Sequence, residues 1–184
     1  MTRRARLTFF VMLALVFLLL VTVIAVSHED RSGLLTVSFL DVGQGDAIFI
    51  DTPSGKQVLI DGGPGTAVLR ELPRVMPWYD RSLDLIVGTH ADTDHIGGLI
   101  EVLPRYRIAS ALVPSTLGTT DAWRTYLERV SHEGATVYEA ERGERIDLGS
   151  DVFLEVLFPD RNVPDLETNT GCIVTRLEYG ETSF

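Results

Sequence analysis

Thr89-His90-Ala91-Asp92-Thr93-Asp94-His95-Ile96-Gly97-Gly98 holds two of the chain's four histidines and two aspartates within six positions. Before it stands Leu83-Asp84-Leu85-Ile86-Val87-Gly88, a short apolar run rich in β-formers that reads as a buried strand. After it, Ile96-Gly97-Gly98-Leu99-Ile100 leads into a helical pattern ending near Pro104. The histidines and aspartates are therefore expected on a loop at the C-terminal end of a strand, where open α/β sheets place their ligands.

The spacing narrows the chemistry. In extended chain, residues two apart point the same way, so His90 and Asp92 share a direction while Asp94 and His95 diverge toward a second point nearby. Imidazole and carboxylate are the usual ligands of divalent zinc, manganese or iron. A pair of such ions about 3.5–4 Å apart can hold a hydroxide nucleophile. A calcium loop starting at Asp92 fails, because its twelfth position is Leu103 where a bidentate glutamate is needed. A histidine–aspartate pair serving a serine nucleophile lacks any G-x-S-x-G elbow.

Working outward to the N-terminus, Arg3, Arg4 and Arg6 precede twenty uncharged residues from Leu7 to Val26. A signal peptide has an apolar region of about 7–15 residues, whereas a spanning helix needs about 20. Residues 1–27 are thus expected to form a single-pass anchor. The alternative is a cleaved signal that releases the chain. The preceding arginines would hold the N-terminus inside and leave the remainder outside the cytoplasm. Residues 28–34 read as a polar linker and residues 35–184 as one domain. Setting aside the three N-terminal arginines leaves 13 basic residues against 26 acidic, a net charge of −13. Such a domain repels polyanions unless metal ions and a local patch such as Arg105 and Arg107 offset its field.

Within the domain, Leu35–Leu40, Asp46–Asp51 and Gln57–Asp61 read as an antiparallel meander, with Pro53-Ser54-Gly55 as turn chemistry. Thr66 to Val75 has helical spacing broken by Pro73 and Pro77. Ile108–Val113 reads as a buried strand. Asp121–Glu133 reads as an amphipathic helix whose apolar face is Ala122, Trp123, Tyr126, Leu127 and Val130, and His132 sits favourably at its C-terminal end. Thr136–Tyr138, Glu144–Leu148, Val152–Phe158 and Cys172–Tyr179 follow as strands, with a polar loop from Asp160 to Thr170. Cys172 is the single cysteine and reads as a small buried hydrophobe.

The motif T-H-A-D-T-D-H-I-G-G resembles that of the metallo-β-lactamase superfamily, in the H-x-D-x-D-H form of ComEC-like hydrolase domains. Phe39-Leu40-Asp41-Val42-Gly43-Gln44-Gly45-Asp46 and Val58-Leu59-Ile60-Asp61-Gly62-Gly63 match the same branch in order and spacing, and Asn169 to Gly180 resembles a later strand more weakly. The resemblance implies an α/β fold, the αββα sandwich. It implies two divalent metal ions in the complete domain, zinc with manganese able to compete, with His90, Asp92, Asp94 and His95 among their ligands and Asp94 also catalytic; these residues alone are expected to hold at most one ion, weakly. Asp61 would orient a ligating histidine from behind, and Asp41 and Gln44 would lie on a loop beside the metals. The implied activity is hydrolysis of phosphodiester or related ester bonds, with nucleic acid as one candidate substrate. The contrasting reading is a catalytically incomplete extracytoplasmic module for binding or assembly.

The family's later ligand segments, a T-G-D strand end and an H-H-G-S-like loop, have no counterpart in these residues, so the expectation is a domain truncated after its first half. On that expectation Leu83–Val87, Ile108–Val113 and Val152–Phe158 would expose apolar inner faces, the last strand would be an open edge, and residues 28–184 alone would aggregate or bind a hydrophobic dye.

Overall fold

An uninterrupted apolar run with no glycine or proline favours helix, and the computed structural model shows it. The structure describes residues 3–29, 33–115, 118–159 and 170–184. The chain divides after Leu34 into an N-terminal unit and a domain running from Leu35 to Phe184. In the first unit, α1 (Arg3–Glu29) continues two residues into the stretch expected as linker. Its segment Arg3–Val23 is long and apolar enough to cross a membrane by length and composition. Thr8 and Thr22 donate their hydroxyls to the carbonyls of Arg4 and Leu18, four residues back, at 2.9 and 3.0 Å.

The domain is built on a six-stranded sheet in the order β1-β2-β3-β4-β5-β6. Its strands are β1 (Thr36–Phe39), β2 (Ile48–Asp51), β3 (Gln57–Ile60), β4 (Ser82–Val87), β5 (Arg107–Val113) and β6 (Thr136–Glu139). The first three pair antiparallel, as the meander pattern predicts, and β3 through β6 are parallel. The crossovers carry α2 (Val68–Val75), α3 (Thr93–Val102) and α4 (Asp121–Glu133). The bounds of α4 coincide with those read from sequence because its end signals are strong. Thr120 Oγ1 accepts from Trp123 N at 3.1 Å, and Gly134 closes the helix at φ 77°. Trp123, Tyr126 and Val130 are buried, whereas Leu127 lies at the rim of that face, 36% exposed.

A second, antiparallel sheet of β7 (Arg145–Asp147), β8 (Val152–Phe158), β9 (Val174–Tyr179) and β10 (Thr182–Ser183) lies in the order β10-β9-β8-β7. It overturns the exposure expected from sequence. Ile50, Val58, Leu85, Val87 and Leu112 of the first sheet pack with Leu148, Val152, Leu154, Val156 and Leu177, and all are buried. The other face of the first sheet packs Phe49, Leu59 and Ile86 against Ile96, Leu99 and Tyr126 of the helices. Burial on both faces is why β4 reads as a continuous apolar run. Nor is the last long strand an open edge, since β10 folds back on β9 and Leu177 and Phe184 exchange backbone hydrogen bonds at 2.9 and 3.0 Å.

The outer face of the second sheet is polar. Arg145 pairs with Glu178 at 2.9 Å and lies 3.8 Å from the Phe153 ring, and Arg176 pairs with Glu155 at 2.5 Å. Helices therefore flank one sheet only, so the layers among the described residues are helix, sheet, sheet. The loop expected over Asp160–Thr170 lies outside the described residues apart from Thr170.

Candidate metal centre

Parallel pairing of β3 with β4 brings two distant segments together. The register Ile60↔Val87 leaves Asp61 and Thr89 as neighbours just past the strand ends. Asp61 adopts φ 54°, a left-handed turn that aspartate tolerates better than most residues, and its N–H donates to Val87 O at 2.8 Å. Asp61 is buried, 2% exposed, and its carboxylate is thereby turned toward Thr89 and His95.

Three donors converge on that carboxylate. Thr89 N donates to Oδ1 at 2.8 Å, Thr89 Oγ1 donates to Oδ2 at 2.6 Å, and His95 Nδ1 lies 2.8 Å from Oδ2. A carboxylate only accepts, so the proton of this last bond sits on His95 Nδ1. The single proton of Thr89 Oγ1 is committed to Asp61, so the contact of 3.0 Å between Thr89 Oγ1 and His90 Nδ1 is donated by His90. Both imidazoles are thus held with Nδ1 protonated and Nε2 offering its lone pair. The two rings lie 3.9 Å apart between centroids.

The structure differs from the sequence expectation in where these residues stand. Asp94 and His95 occupy the first turn of α3, not a loop. Asp92 is the extended N-cap at ψ 143°, and its carbonyl accepts from His95 N and Ile96 N, both at 3.0 Å. Asp92 Oδ2 lies 3.8 Å from His90 Nε2, on the same side as the two-residue spacing implies.

The approach of α3 to the β3 end is close enough to require glycine. A Cβ on Gly98 would stand 2.0 Å from Gly62 O, and one on Gly45 would stand 1.7 Å from Asp94 O. Gly62 N donates to His95 O at 2.8 Å and Gly98 N to Gly63 O at 2.7 Å, which clamps the helix start against the loop.

Charge follows this geometry. Burial and the adjacent His95 ring hold the His90 pKa below the ordinary imidazole value. The hydrogen bond to Asp61 raises that of His95, with Asp94 and Asp46 adding to the rise. Tyr126, fully buried, has its pKa pushed up by burial, and its hydroxyl has no hydrogen-bond partner among the described residues.

Asp61, His90 and His95 form a group whose donor atoms all lie within 4.8 Å of one another. Asp92 stands beside His90, and Asp94 is exposed on the same helical turn. Asp41 and Gln44 are exposed on the loop that abuts Asp94 through Gly45, and neither makes a side-chain hydrogen bond among the described residues. Sequence reasoning left Thr89 and Asp46 without roles. Both lie in the quoted motifs, yet only the register shows Thr89 bonded to Asp61 and to His90.

The donor set suits a divalent transition ion. Two ligands of one tetrahedral ion, each at about 2.0–2.1 Å, stand about 3.3 Å apart, close to the 3.8 Å between His90 Nε2 and Asp92 Oδ2. The buried Asp61 has its oxygens taken by three donors, which makes it an orienting acceptor more readily than a ligand.

Residues 40–179 match the sequence profile of the Metallo-beta-lactamase superfamily. The chain is 26% identical over 170 residues to ComE operon protein 3 of Bacillus subtilis, covering 80% of this chain and 21% of that protein. It is 33% identical over 95 residues to Recombination protein 2 of Haemophilus influenzae, covering 49% of this chain and 12% of that protein. It thus spans about a fifth or less of the curated relatives it matches. Among solved structures, MEM-A1, a subclass B3 metallo-beta-lactamase from a soil metagenome library, shares the fold at TM-score 0.55 and 16% identity, covering 83% of this chain and 59% of that one. The chain belongs to the metallo-beta-lactamase superfamily, and within it resembles the ComEC-like members.

Proposed function

We infer that this chain is a membrane-tethered, metal-dependent hydrolase acting on phosphodiester or related ester bonds. The observation that carries the reading is the Thr89–Asp61 relay, which fixes His90 and His95 as paired Nε2 donors beside Asp92. His90 and Asp92 would hold one divalent ion, and Asp94 and His95 a second, with water, substrate or further protein ligands completing each. Bound there, zinc or manganese would supply Lewis acidity and a hydroxide nucleophile at neutral pH. Carboxylates at Asp92 and Asp94 make the set oxygen-rich, which lets manganese compete with zinc.

The chain's own residues do the positioning. Asp61 fixes the His95 ring, Thr89 fixes the tautomer of His90, and Gly45 lets the 43–45 loop close on Asp94. The start of α3 brings the positive end of a ten-residue helix to the site, which favours an anionic substrate. Residues 1–27 serve as the anchor, residues 28–34 as the connector and residues 35–184 as the hydrolase-type domain, outside the cytoplasm.

The test is elemental analysis of the full chain after dialysis against zinc or manganese, with hydrolysis of an activated phosphodiester followed in parallel. Retained metal and turnover, both lost in His90→Ala and His95→Ala, support the reading. Metal retained without turnover of any phosphodiester would favour the binding-module reading, and no retained metal would refute the hydrolase.

A further inference from the structure

The end of the domain opposite the metal centre carries features that hydrolysis does not use. Parallel strands β3, β4 and β5 all begin there, and Arg107 N donates to Arg81 O at 2.8 Å across their starts. Just ahead of β4, Trp78 is 80% exposed and Tyr79 is 53% exposed. Their rings meet edge to face at 5.7 Å and 85°. A domain seldom leaves its largest aromatic side chains this bare unless something covers them.

Two residues after Tyr79, Arg81 joins Arg105, Tyr106, Arg107 and Glu133 in lining an open groove of about 270 Å³. Arg81, Arg105 and Arg107 are all exposed. Arg81 is steadied by donating to the Tyr106 hydroxyl at 2.7 Å, and Arg105 by its pair with Glu101 at 3.1 Å. Two acids that flank Arg81 in the sequence are partly committed. Asp80 accepts from Gln57 Nε2 at 3.0 Å and from Ser82 Oγ at 2.7 Å, and Asp84 accepts from Gln57 N at 2.9 Å. Glu133 is the one acid in the groove itself.

We propose that this end of the domain docks on an anionic lipid surface, with Trp78 and Tyr79 at headgroup depth and Arg81, Arg105 and Arg107 on lipid phosphates. Trp and Tyr settle at the membrane–water boundary because each has an apolar body and a polar tip. Arginine forks match phosphate oxygens. With 26 acidic residues against 16 basic in the chain, most faces are repelled by an anionic bilayer, so an arginine-lined face selects one orientation. The chain also enters the domain at this end, since Thr36 pairs with Asp51 and Asp51 with Gln57, level with the starts of the parallel strands. It arrives from the apolar segment Arg3–Val23, and six residues separate Glu29 from Thr36. Docked this way, the metal centre faces away from the bilayer, at the far end of β4. The inference rests on the membrane tether but not on hydrolysis.

The experiment uses the full chain in nanodiscs of phosphatidylcholine alone or mixed with phosphatidylglycerol. The chain has two tryptophans, and Trp123 is buried, so the difference between wild type and Trp78→Phe isolates Trp78 emission. In the anionic discs the expected result is a blue shift, loss of quenching by aqueous iodide, and quenching by lipids brominated high in the acyl chain. Arg107→Glu and molar salt should each reverse all three. Trp78 emission that stays red and iodide-accessible in both discs would overturn the proposal. So would a shift equal in neutral discs, one unmoved by Arg107→Glu, one produced only by an added oligonucleotide, or one that follows protein concentration.

Discussion

Replacing Gly98 by alanine should be far more damaging than a helix-favouring change ought to be. The new Cβ would stand 2.0 Å from Gly62 O. An ordinary C···O contact is about 3.3 Å, so the backbones must separate by about 1 Å. Overpacking of this kind costs about 1–3 kcal/mol. The same movement weakens the bonds of 2.7 and 2.8 Å that clamp α3 to the loop, each worth about 1 kcal/mol. Alanine returns about 1 kcal/mol of helix propensity. The net expectation is a loss of about 3 kcal/mol, or about 6–12 °C in Tm for a domain of this size. Because Asp61 and His95 sit on opposite sides of the clamp, their bond of 2.8 Å should open as well. Thermal and urea unfolding of the full chain would measure the loss. Gly97→Ala is the control, since its nearest contact is a milder 3.2 Å to Gly65 N. A Gly98→Ala chain as stable as wild type would refute the close-approach argument.

Thr89→Val removes the hydroxyl bonded to both Asp61 and His90 and should weaken zinc binding about 10–100-fold, with Thr89→Ser near wild type, by chelator competition. Equal losses in the two variants would show that the hydroxyl is not the active group. Tyr126→Phe deletes a buried hydroxyl that has no partner among the described residues and should stabilise the domain by about 1 kcal/mol in urea unfolding. A comparable destabilisation would reveal a bonded water. In the metal-free chain, imidazole resonances followed by NMR should show His90 losing its proton at lower pH than His95. With the folded value of His95 raised, its contribution to stability is full below the unfolded value and disappears as pH rises through the folded one. With His90 lowered, its contribution is present above the unfolded value and lost as pH falls through the folded one. Asp61→Asn should narrow the separation by removing the main cause of the His95 rise, while burial still holds His90 down. Titration in the reverse order would contradict the hydrogen-bond assignment.

What the sequence alone determined is local. Strand and helix periods placed β1 to β5 and α4 within a few residues, because alternation and 3.6-residue spacing are properties of short segments. Turn and cap chemistry, as at Thr120 and Gly134, set the ends of α4. The motif from Thr89 to Gly98 points to metal chemistry because its residue types have few other uses in that spacing. The start of α3 was misjudged by a few residues, since Asp92 and Thr93 read equally well as loop until the cap closes on them. Tertiary structure decided the rest. Only the parallel register of β3 on β4 sets Asp61 against Thr89 and, 34 positions away, His95. Only the packing of the second sheet covers Leu85, Val87 and Leu112, which a count of missing layers left bare. The reason is that a strand's period says which residues share a face, while what that face meets depends on chain folded from far away in sequence.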